Sequence, residues 1–268
     1  MLAAVIYFAL RAFALPATVR ICETLILIWL YILVAGAPPS AIRAGVVATF
    51  VLAARLFGRQ VSPLHFMTTM LAAVLAYNPL LVYNTGFQLS VAAVFGILLL
   101  RKPLKSLVEG TLLRPLKKPG PISNLLSVSL AAQIATAPIV AASFEEVAVI
   151  GALTNLIAVP LSGPILTLGL LGSVFGNVAP LLAYPLNASN GFLVTILEWL
   201  ARAASAFPFA AVTTPGITPP LVGLFYLGCA PAALSEVAAF PEERWPLWGA
   251  LLVLWAALWL ALVGVGSV

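Results

Sequence analysis

Residues 147–197 read VAVIGALTNLIAVPLSGPILTLGLLGSVFGNVAPLLAYPLNASNGFLVTIL, and no Lys, Arg, Asp or Glu interrupts them. A helix that crosses a bilayer needs about 20 apolar residues. This one run therefore has room for two or three crossings. The uncharged stretch between Arg59 and Arg101 has room for two short ones, and the stretch between Arg202 and Glu236 for one. Backbone polar groups in lipid must be satisfied within the segment, so the runs read as helices. They lack the apolar–polar alternation of a barrel strand.

The composition agrees. Of the 268 residues, 63% are hydrophobic and 8% charged, and the mean hydropathy is +1.13. A soluble chain carries about 25% charged residues because its surface must be wetted. Here the natural solvent is lipid. Asp is absent and the eight acids are all Glu. The net charge of +5 is modest and is no nucleic-acid signature by itself. Cys22 and Cys229 both lie in or beside apolar runs and read as buried thiols, since a zinc site needs more ligands in tighter spacing. Residues 1–16 lack the basic start of a signal peptide and run almost directly into apolar residues 21–36. So abrupt an apolar start is expected of a piece cut from a longer chain.

Apolar runs place helical segments at 2–15, 19–36, 41–57, 64–78, 86–100, 123–141, 147–161, 164–179, 188–207, 217–235 and 246–264. Several are too short for a full span, so some are expected to be re-entrant, broken or buried. The expected fold is an all-α polytopic membrane bundle, a single domain over residues 1–268 with broken or re-entrant helices. Pro138, Pro160, Gly163, Pro164, Pro180, Pro185 and Pro208 stand at the expected interruptions. Such breaks occur in transport pathways, and Pro and Gly are also common in ordinary membrane helices.

Orientation follows from Lys and Arg. The stretch 101–118 carries Arg101, Lys102, Lys105, Arg114, Lys117 and Lys118 against Glu109, which marks it as cytoplasmic. Counting back, Arg55 and Arg59 also fall on the cytoplasmic side, as does Arg20. Glu145 and Glu146 fall on the outer side.

Three polar clusters lie within this apolar background. In Pro39-Ser40-Ala41-Ile42-Arg43-Ala44, Pro39 suits a helix start and Ser40 lies near the cap. Arg43 then sits in the first turn. An Arg deep in the bilayer costs roughly 3 kcal/mol on insertion scales, so it faces a cavity or partner or else snorkels to the interface. In Asn84-Thr85-Gly86-Phe87-Gln88-Leu89-Ser90, Gly86 starts or breaks a helix, and Gln88 and Ser90 bring hydrogen-bonding groups into its first turn. Gln133 with Pro138, and Asn155 before Pro160, form the third. An Asn there either satisfies carbonyls freed by a kink or lines a pore.

Enzyme chemistry finds little footing. His65 stands alone, paired Asp residues are impossible, and neither a GxSxG nor a P-loop occurs. No catalytic, metal or cofactor site is expected.

At these clusters the chain resembles the competence family of bacterial DNA-uptake channel proteins, the ComEC-type membrane domain. The resemblance rests on Ala35-Gly36 with Pro39-Ser40-Ala41-Ile42-Arg43-Ala44, Leu56-Phe57-Gly58-Arg59, Asn78-Pro79 and Gly86-Phe87-Gln88-Leu89-Ser90. It continues through Ala132-Gln133-Ile134-Ala135-Thr136-Ala137-Pro138, Phe144 and Asn155-Leu156-Ile157-Ala158-Val159-Pro160. It implies a channel that passes one strand of incoming DNA across the cytoplasmic membrane during natural transformation. The family's usual form adds an OB-like extracytoplasmic domain and a metallo-β-lactamase-like domain. This chain has neither an OB region nor the HxHxDH motif, so the nuclease role is not carried over.

Under that resemblance the polar residues take roles. A single strand carries one charge per nucleotide and needs a hydrated path with weak, repeated contacts. Arg43 would receive phosphates at the outer mouth, and Arg55 and Arg59 would pass them on at the inner face. Gln88, Gln133 and Asn155 would line the middle, with Pro39, Ser40, Gly86, Phe87, Pro138 and Pro160 shaping the helices. The expected partners are single-stranded DNA, the lipid bilayer, soluble domains of the full-length protein, and other uptake proteins including an external motor. A small-solute or lipid transporter is the alternative.

Overall fold

A computed structural model describes residues 16–37, 39–56, 63–111, 120–207, 210–214, 217, 219–237 and 245–265. Among the described residues are nine α-helices, a 3-10 turn and two short strands. The chain divides into two compact units, residues 1–79 with 159–197 and residues 80–158 with 198–268. The expected segment 2–15 lies outside the described residues.

In the first unit, α1 spans Ala17–Val34. It stops where Gly36 turns left-handed at φ +81, with Ala37 N–H on the Ile32 carbonyl at 2.8 Å and Gly36 N–H on Leu33 at 3.1 Å. Glycine takes that conformation without a Cβ penalty, and the turn satisfies the helix's last carbonyls. Helix α2 (Pro39–Leu56) begins on a proline, whose missing N–H is no loss in a first turn. Ile21, Ile28, Ile32 and Leu52 pack between the pair. Trp29 Nε1 donates to Thr49 Oγ1 at 3.0 Å, and that hydroxyl donates to the Gly45 carbonyl at 2.8 Å. Helix α3 is Pro63–Tyr77, and a 3-10 turn follows at Pro79–Tyr83.

The second unit is built on α4 (Thr85–Gly110) and α5 (Gly120–Phe144). They meet through small residues. A methyl group on Gly96 would overlap the Ala135 side chain and come within 2.7 Å of the Ala131 carbonyl oxygen. Close backbone approach is how apolar helices associate without water to drive them together. Strand β1 (Glu146–Ala148) pairs antiparallel with β2 (Ala211–Thr213). Helix α8 (Pro219–Val237) and helix α9 (Trp245–Val265) complete the core. Trp255 and Trp259 of α9 donate their indole N–H groups to the Phe225 and Leu221 carbonyls of α8, each at 3.2 Å. Tyr226 donates its hydroxyl to the Ala135 carbonyl at 2.8 Å, tying α8 to α5. Gly249 of α9 lies against Pro103 of α4, closer than any side chain would allow.

Two expectations are corrected. The segments 147–161 and 164–179 are one helix, α6 (Gly151–Val178), unbroken through Pro160 and Pro164. Likewise α7 (Pro180–Ser205) starts before 188 and contains Pro185, and α5 contains Pro138. A proline removes one N–H donor, and the turns on either side keep theirs. Neighbouring hydroxyls add bonds to carbonyls, Ser162 to Val159 at 2.7 Å and Thr167 to Gly163 at 2.9 Å. Pro180 opens its helix, and Pro208 lies outside the described residues. The second correction concerns α4, which was expected to end at 100. It continues through Arg101, Lys102 and Lys105 to Gly110 because Pro103, Leu104 and Val108 are buried on its inner face. Arg101, Lys102 and Lys105 are thus helical, and Lys105 pairs with Glu109 at 3.8 Å while Ser123 donates to the same carboxylate at 2.6 Å.

The fold is all-α apart from the strand pair. The helical stretches 120–144 and 151–176 are long and apolar enough to cross a membrane.

Candidate functional site

Asn84, Gln88 and Gln133 of the polar clusters organise backbone. Asn84 caps α4, accepting the Phe87 N–H on Oδ1 at 2.9 Å. Phe87 is buried in the same turn, and Gly86 leaves room beside the cap. A polar side chain here satisfies one of the donors that every helix start leaves open. Gln88 then donates to the Val82 carbonyl at 2.7 Å, fastening the 3-10 turn to the helix start.

Gln133 has a larger task. After Phe144 the chain does not continue outward. Glu145 adopts φ +57, and β1 folds back beside α5. There the Gln133 amide donates to the carbonyls of Ala148 and Val149, the latter at 3.2 Å. Gln133 lies eleven residues before Phe144, about 16 Å back along a helix rising 1.5 Å per residue. Farther along, Ala152 packs against Val108 and Leu126. The extended stretch 145–150 thus runs back alongside α5 to about its midpoint. Its partner is held by Val149 N–H on the Ala210 carbonyl at 2.9 Å and Thr214 N–H on the Glu145 carbonyl at 2.8 Å. Val147 faces the core, while Glu146, Ala148, Ala211 and Thr213 are exposed.

The remaining sequence-derived residues are spread along the chain. Arg43 lies in the first turn of α2, partly buried, with Pro39 and Ser40 as the first two residues of that helix. Arg55 is in its last turn, and Arg59 lies outside the described residues. Asn155 and Pro160 are exposed on α6, and Pro138 is buried in α5. Gln133 comes together with the strand pair and Gln88 with the 3-10 turn. Arg43 belongs to the first unit.

Sequence reasoning missed the strand pair and a second polar contact. Asn187 of α7 occupies the space a Cβ on Gly172 would need, and Asn190 sits 3.2 Å from that position on Gly169. The Asn190 carbonyl oxygen is buried with no hydrogen-bond partner among the described residues. Glycines at 169, 172 and 176 and asparagines at 187 and 190 follow helical spacing, a signal available from the sequence. Among the described residues no group of three His, Cys, Asp or Glu comes together to hold a metal.

The family model described as Competence, competence protein, matches residues 1–239. The chain belongs to the competence-protein family. Membership gives it a part in DNA uptake. The match covers the whole first compact unit, the second as far as residue 239, and every cluster that carried the resemblance, from Ala35-Gly36 to Pro160. No curated protein and no solved structure matches this competence-family chain.

Proposed function

We propose that the chain is a multi-pass domain of the bacterial cytoplasmic membrane that passes single-stranded DNA inward during natural transformation. The observation that carries this reading is the family match over residues 1–239. Long apolar helices and the basic end of α4 support the membrane placement. Translocation makes and breaks no bond, so the domain acts without catalysis. The work comes from an external motor or gradient, and soluble domains of the full-length protein act beside it.

Arg43 and Asn155 are the contacts offered to the strand, one cationic and one amide. Gln88 and Gln133 engage carbonyls, so they shape the path rather than grip its cargo. Replacing Arg43 with Ala in a transformable host is expected to lower transformation about tenfold or more, as loss of a phosphate contact would. Membrane abundance of the protein should stay unchanged by immunoblot. Transformation at the wild-type frequency would remove Arg43 from the path.

A further inference from the structure

The strand pair poses a physical problem at membrane depth. Helix α5 is 25 residues long and apolar enough to span. Gln133 is near its middle, and the carbonyls of Ala148 and Val149 reach that level. If α5 spans, extended backbone stands near the bilayer centre. Peptide groups there are tolerated only when buried in protein or facing a water-filled cavity.

On the β1 side, Gln133 serves the Ala148 and Val149 carbonyls, and β2 serves the Glu145 carbonyl and the Val149 N–H. The β2 side has no such side-chain donor among the described residues. Glu146 pairs with Thr213, Val147 with Val212 and Ala148 with Ala211. Ala210 and Thr214 turn their peptide groups to β1. Alternation along a strand therefore turns those of Ala211 and Thr213 the other way. Among the described residues the sheet has two strands, so no third pairs with this edge. Helix α9 approaches β2 but leaves Ala211 and Thr213 exposed. The exposed face of the ribbon carries Glu146, Thr213, Ala148 and Ala211, which are small or polar, while Val147 faces the core. A lipid-facing surface would carry large apolar side chains instead.

We infer that the exposed face and free edge of the β1–β2 ribbon line the water-filled path at mid-membrane, where peptide groups and small side chains touch the passing strand. This rests on the channel reading and names its wall. Uncharged peptide groups give the weak, repeated contacts that conduction needs, with no cation to trap phosphates. Glu146 stands where the ribbon begins, nearest the end of α5. It repels phosphates from the ribbon's start and so favours passage over residence there.

The test is cysteine accessibility in the full-length protein in its membrane, after Cys22→Ala and Cys229→Ala. Single cysteines replace Ala148, Ala211 and Thr213 on the exposed face and Val147 and Val212 on the other. A membrane-impermeant, charged thiosulfonate should label the first set about tenfold or more faster than the second, since a thiolate forms only where water reaches. Incoming single-stranded DNA should slow labelling of the first set. Equal, slow labelling of both sets overturns the inference, because the ribbon then faces lipid or protein. Fast labelling that DNA does not slow also overturns it, because the water there is off the strand's route. Neither result touches the channel reading, which fails separately if cells lacking the protein still import single-stranded DNA at the wild-type rate.

Discussion

Helices α5 and α6 are alike in length and apolar character, yet 44% of the apolar window in α5 is buried and 6% of that in α6. Composition along the faces accounts for it. In α5, Ser123, Ser127, Ala131, Ala135, Pro138 and Ala141 recur at helical spacing and are buried. Small side chains let α4 and α8 approach its backbone, and the gain comes from dispersion and from hydrogen bonds such as that from Tyr226. Helix α6 exposes Leu153, Ile157, Leu171 and Val174. Hydropathy reports which residues prefer an apolar medium. The size of the side chains tells whether a neighbouring helix can supply that medium.

The comparison breaks most directly at Gly96. Leucine there would overlap Ala135 and the Ala131 carbonyl, so Gly96→Leu should destabilise the protein by about 3 kcal/mol or more. Unfolding in mixed micelles followed by circular dichroism reads this. A loss under ~1 kcal/mol would mean that α4 and α5 do not need their close approach. Gln133→Leu is gentler. It leaves two carbonyls without their donor, and the same titration should lose about 2 kcal/mol. The smallest effect belongs to α6. Ile157→Ala should change stability by less than about 0.5 kcal/mol, because an exposed side chain leaves no cavity behind. A large loss at Ile157 would show a buried face on α6 and would erase the contrast.

Much of this was legible in the sequence. The absence of charge between Glu146 and Glu198 marked the helices, and most of their boundaries fell within a few residues of those expected. The clusters around Arg43, Gln88 and Gln133 carried the family resemblance, and the family match covers all three. What stayed hidden has physical reasons. Pro160 and Pro164 read as breaks because proline lacks a donor, yet one missing bond does not end a helix whose other hydrogen bonds remain. The segment that opens at residue 86 read as ending at 100, where Lys and Arg begin, although Pro103, Leu104 and Val108 bury the opposite side of the same turns. The ribbon had no local signal at all. Three residues make no pattern, and β1 finds β2 only across the intervening helices. For the same reason the contact of the Gln133 amide with this strand could not be read from the sequence.

The strand pair also closes a circuit. The chain departs at Val149, runs through α6 and α7, and returns at Ala210, whose carbonyl accepts the Val149 N–H at 2.9 Å. Bringing together the ends of a flexible loop of roughly sixty residues costs about 3–4 kcal/mol in chain entropy, and lengthening it further adds little. Start and finish of the circuit lie side by side, so the ladder at its base fixes where α6 departs and where α7 returns.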